Sequence, residues 1–296
     1  MNAVGLFGKM RSAGDFVGLH ARAEASAVQQ WLQRAHEIAG GASVEEPVYF
    51  VASFPGTNQT FCGAWIPSED RVGRRFPLLT FLPIAADLMG VSRGHLPALI
   101  QPFLDAAVSL MTEARDASFA ELSLALARAP RPDASLLGRV VAQCGQESRD
   151  ERVSTFVKRV FGDDPGQLAY ALHAVAIACE PLRDAPPVSA AVSLDCPMTI
   201  DLDLFFWADL IHRKLGWRDG GPGLFWTEQT PRLVAALGPA APGTLSQLGS
   251  TQVSGSFWPL WTAREDARAR AVRSLSTRVR QVLDADESLH ALAECA

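Results

Sequence analysis

Between positions 48 and 84 three short apolar runs, 48–54, 60–66 and 76–84, are separated by a turn and by a charged loop, and this spacing limits the folds open to the chain. Each run is too short for a core helix and rich in aromatic and branched residues, so each reads as a strand. Pro55-Gly56-Thr57-Asn58 supplies the first connection; Pro67-Ser68-Glu69-Asp70-Arg71-Val72-Gly73-Arg74-Arg75 supplies the second, with five of its nine residues charged. Strands joined this closely must run antiparallel as a meander. Arg71, Arg74 and Arg75 can fork onto carboxylates or phosphates, while Glu69 and Asp70 can satisfy some of them locally. The loop therefore either binds a partner or binds itself.

Elsewhere the pattern is mixed. Residues 4–10 read as a strand that breaks at 11–16, and a helix follows from near residue 21, where Ala25, Val28, Trp31, Leu32 and Ala35 share one face until Gly40-Gly41 ends it. Helical periodicity covers 102–113, 118–127, 136–144, 149–161 and 167–177. Residues 188–194 read as a strand, 201–215 as an amphipathic helix, 224–227 as a strand, and 264–283 as a closing helix. Pro130 and Pro132 mark the best boundary, dividing an N-terminal domain, 1–130, from a helical C-terminal region, 131–296, whose late strands complete the sheet. Strands early and late with helices between them predict an α/β (α+β) layer structure on a mostly antiparallel sheet, not a doubly wound parallel one.

Composition excludes several functions. A net charge of −5 and a pI near 5.7 leave no basic surplus for nucleic acid or an anionic membrane. No stretch approaches the roughly 18 apolar residues of a membrane span, and the first residues do not have the form of a secretory signal. The five cysteines are scattered and form no C-x-x-C pair, as expected of a reduced, cytoplasmic protein without structural zinc.

Catalytic patterns are sparse. There is no G-x-S-x-G elbow, no two histidines fall at metal-ligand spacing, and Gly5-Leu6-Phe7-Gly8-Lys9 fits neither phosphate-binding fingerprint. Asp201 and Asp203 would share a face in a strand and could hold a divalent cation; at a helix start they would complement the dipole. The register of Leu204, Trp207, Leu210 and Ile211 favours the helix start. The arginine loop remains, with Asp15 as a candidate carboxylate outside it. Asp15, Ser68, Asp70, Arg71, Arg74 and Arg75 form either a fold-holding clamp or a partner-binding site.

Gly5-x-Phe7-Gly8-Lys9-x-x-Ser12-x-Gly14-Asp15-Phe16-Val17, then Trp31-Leu32-Gln33, then the loop from Pro67 through Phe76-Pro77-Leu78, resemble the TagF (ImpM) family of type VI secretion accessory proteins. Leu224-Phe225-Trp226-Thr227 is similar to a later element of that family. The resemblance implies a mostly antiparallel sheet flanked by helices, similar to longin-type adaptor domains. It also implies a cytosolic, non-enzymatic regulator without cofactor, which represses assembly of the secretion machine after translation by binding a forkhead-associated scaffold protein. The chain departs from the family pattern at Gln29-Gln30 and at Leu19-His20. The alternative reading is a sensor or enzyme for a small phosphate or carboxylate ligand, held by Asp15 with Arg71, Arg74 and Arg75.

Overall fold

All three early runs are strands, and their side chains alternate between two cores on opposite faces of one sheet. The computed structural model describes every residue except 1–3, 20–24, 42–43, 86–87, 89–90, 115, 184, 218–220 and 249–255. Strands β1 (Gly5–Gly8) and β2 (Val17–Leu19) precede helix α1 (Ala25–Ile38), followed by β3 (Val48–Ser53), β4 (Thr60–Ile66) and β5 (Leu78–Pro83). Five helices come next: α2 (Leu96–Glu113), α3 (Phe119–Ala127), α4 (Leu137–Asp150), α5 (Val153–Phe161) and α6 (Pro165–Cys179). The remainder is β6 (Ser193–Pro197), α7 (Asp201–Leu215), β7 (Gly223–Thr227), β8 (Arg232–Ala236), α8 (Thr244–Leu248), β9 (Phe257–Pro259), α9 (Glu265–Ser274), α10 (Thr277–Asp284) and α11 (Leu289–Cys295).

The nine described strands make one sheet in the order β2-β1-β5-β4-β3-β7-β8-β6-β9, antiparallel at every pairing but the last, β6 with β9. Early and late strands meet where β3 pairs with β7, with Phe50 opposite Phe225. Along β3, Val48, Phe50 and Ala52 enter one core while Tyr49 and Val51 enter the other. This is the period-two pattern of a sheet covered on both faces.

On one face α1 lays Val28, Trp31, Leu32 and Ala35 against the strands, beside Leu245 and Leu248 of α8. Trp31 stacks on Phe225 at 5.8 Å and tilts against Phe54 at 4.8 Å, so α1 is held jointly by early and late strands. The other face is covered by the long α2, through Leu99, Ile100, Phe103, Leu104 and Met111, and by residues of α5, α6, α7 and α11. Burying a side chain of this size contributes about 1.5–3 kcal/mol, so both layers are firmly seated. Among the described residues no helix is long and apolar enough to cross a membrane.

Several boundaries differ from the sequence reading. The helix expected from residue 102 begins at Leu96, because Pro102 falls on the exposed side while the apolar stripe runs through it unbroken. The strand expected at 188–194 lies at β6 instead, and Val188 is exposed. The closing helix is interrupted: Leu275 leaves helical geometry and the Ser276 hydroxyl caps α10 by accepting from the Val279 N–H. The first helix is described from Ala25; residues 21–24 of the expected start lie outside the described part.

Asp201 and Asp203 stand at a helix start, as their register predicts. Asp203 Oδ2 accepts from the N–H groups of Thr199 (2.7 Å) and Ile200 (3.2 Å), and its Oδ1 takes the Arg159 guanidinium at 2.6 Å. It works as a helix cap tied to α5, not as a cation ligand.

Candidate functional site

The arginine loop is a turn organised by one carboxylate. Asp70 Oδ1 accepts from the backbone N–H groups of Val72 (3.0 Å) and Arg74 (2.9 Å), and the Asp70 carbonyl accepts from the Gly73 N–H at 2.9 Å. Asp at the first position of a turn and glycine at the fourth favour this geometry, and Gly73 has a φ of 82°, which suits a residue without Cβ. On its other oxygen, Asp70 receives Arg74 Nε at 2.7 Å and Lys9 Nζ at 3.1 Å. Burial of Asp70 opposes its charge, but hydrogen bonds from Arg74, Lys9 and Val72 outweigh that and hold the carboxyl well below the usual range.

From this centre the clamp reaches β1 and the segment after it. Lys9 follows β1 directly and is itself buried, 7% exposed, so it depends on Asp70. Ser68 Oγ donates to the Lys9 carbonyl at 2.7 Å, Arg74 Nη2 donates to the Gly14 carbonyl at 2.7 Å, and the Arg71 N–H donates to the Ala13 carbonyl at 2.8 Å. Gly8 cannot be replaced without cost, because its φ is 139° and a Cβ would collide with the Pro77 carbonyl. The motif glycine thus lets β1 pass close under the loop. Phe16 stacks on Phe7 at 5.5 Å and meets the edge of Phe76 at 4.8 Å, while Lys9 Nζ lies 5.1 Å from the Phe16 ring centre. The first and third motifs therefore converge on one structure, while Trp31 of the second packs on Phe54 and Phe225.

Individual residues divide by environment. Asp70, Ser68 and Arg74 are in the clamp. Arg75 pairs outward with Glu45 at 3.3 Å, and Arg11 with Glu69 at 3.0 Å; both pairs are exposed. These pairs line a cavity of about 450 Å³ whose apolar lining includes Ile66 and Val108. Arg71 forms no ion pair among the described residues. Asp15 does not serve as the arginines' carboxylate: its Oδ1 accepts from the Phe16 N–H at 2.8 Å, and the acid that holds Arg74 is Asp70. Lys9 is the participant that the charge pattern alone does not single out. Its signal was a lysine directly after an apolar strand within the first motif.

Nine described strands between two helical layers, carrying a hairpin locked by its own carboxylate, define an α/β protein whose distinguishing surface is a charged loop. Residues 5–129 match the family model of the TagF N-terminal domain, described as type VI secretion system-associated. Over these residues the chain carries the signature of the TagF N-terminal domain, a type VI secretion system-associated family. Comparison with curated proteins gives no match. Among solved structures, PA0076 from Pseudomonas aeruginosa PAO1 is 25% identical, with a TM-score of 0.36, over 44% of this chain and 64% of that one. The match therefore spans less than two thirds of that protein's length.

Proposed function

We propose that this protein is a non-enzymatic, cytoplasmic regulator that represses assembly of a type VI secretion machine by binding its forkhead-associated scaffold protein. The observation that supports the reading is the TagF N-terminal domain, whose motifs build the clamped loop. A loop that neutralises Asp70 internally and keeps Arg71, Val72 and Arg75 exposed offers a rigid surface for a macromolecule. Rigid anchors of this type bind at a low ordering cost.

The test has a cellular arm and a purified arm. Deleting the gene raises secretion of the machine's tube subunit with its transcript and intracellular level unchanged, and the purified protein captures the purified scaffold. Unchanged secretion together with no capture overturns the proposal.

A further inference from the structure

Strand β2 is one end of the sheet. It pairs with β1 through Leu6 and Leu19, Phe7 and Gly18, and Gly8 and Val17, and no described strand lies on its other side. The loop tip abuts the segment leading into it, through Arg71 N–H to Ala13 O and Arg74 to Gly14 O, so edge and loop form one continuous surface. Large apolar groups stand open along it: Phe16 is 43% exposed, Leu19 40% and Val72 68%. Charge on this surface has the opposite sign to the molecule as a whole. Lys9 and Asp70 neutralise each other in the interior, so among the described residues of this surface the exposed charges are Arg71 and Arg74 against Asp15, a local positive surplus on a chain of net charge −5. The Arg71 guanidinium lies beside Gly14 without a carboxylate among the described residues.

We propose that the β2 edge and loop tip form a docking site for an extended, acidic segment of a partner protein, which adds a strand outside β2 and places a carboxylate on Arg71. The inference rests on the scaffold-binding reading and names its surface. An open edge presents unpaired backbone N–H and C=O groups that a partner strand satisfies, while alternate side chains of that strand meet Phe16, Leu19 and Val72. Arg71 then supplies a two-pronged, charge-assisted contact. A second copy of this chain fits less well, because a two-fold pairing of the same edge would bring like-charged loop tips together.

The experiment combines hydrogen exchange of the full-length protein, alone and with the purified forkhead-associated scaffold, with titration of that scaffold against the Arg71→Glu and Val72→Asp variants. Exchange at residues 16–19 and 71–73 is expected to slow about tenfold or more in the complex. Arg71→Glu is expected to weaken binding about tenfold or more, Val72→Asp to weaken it as well, and binding by the native protein to decline with added salt. Both side chains are exposed, so melting temperatures should not move. Scaffold binding without protection of 16–19, or with Arg71→Glu at native affinity, overturns this surface and leaves the regulator reading standing. Salt-independent binding overturns the acidic character of the partner segment. No binding by the native protein overturns both inferences.

Discussion

Asp70 is the residue on which the loop turns. It accepts two backbone N–H groups and two cations while almost fully buried, so its proton equilibrium is coupled to folding. Its folded-state carboxyl titrates below the unfolded value of about 3.9, so its contribution is complete above roughly pH 4. That contribution is lost as pH falls from there through the folded value. Asp70→Asn should lower the melting temperature at neutral pH, because Lys9 is then buried without its anion. Since it lacks this carboxylate, the variant should also show a smaller loss of melting temperature than the native protein between neutral pH and about pH 4 and below. Melting curves across that range check both; parallel acid limbs would show that Asp70 is not the titrating group.

The elements were legible where one physical rule dominated. β3, β4 and β5 followed from short apolar runs rich in aromatic and branched residues, and α7 from the register of Leu204, Trp207 and Leu210. Reading failed where a tertiary contact decides. β2 is three residues long and exists because β1 pairs with it, and Arg232 to Ala236 became a strand by lying between β6 and β7. At the candidate site the loop and its local acids were readable from spacing, whereas Lys9 was not, because its pairing with Asp70 spans many residues of intervening chain. The α5 to α7 tie makes a prediction at this scale. Asp203→Ala uncaps α7 and leaves the largely buried Arg159 with Glu151 alone, and should cost about 3 kcal/mol. A urea titration reads this as a lower midpoint at unchanged slope.

For the whole molecule, the decisive contact is between β3 and β7, which places the segment matching the TagF N-terminal domain and the rest of the chain in one sheet. Residues 1–130 expressed alone would leave the β3 edge open and Trp31 without Phe225 beneath it. Such an exposed apolar edge invites pairing between molecules. Size-exclusion chromatography should find this fragment in soluble aggregates, and a monomeric fragment with a cooperative melt would contradict the expectation. The same ladder sets a timetable during synthesis. β7 lies about 170 residues after β3, so at about 5–20 residues per second the nascent β3 edge waits roughly ten to thirty seconds for its second neighbour to emerge. Throughout that interval the growing chain displays a sticky border, which makes this protein a natural client for chaperones at the ribosome.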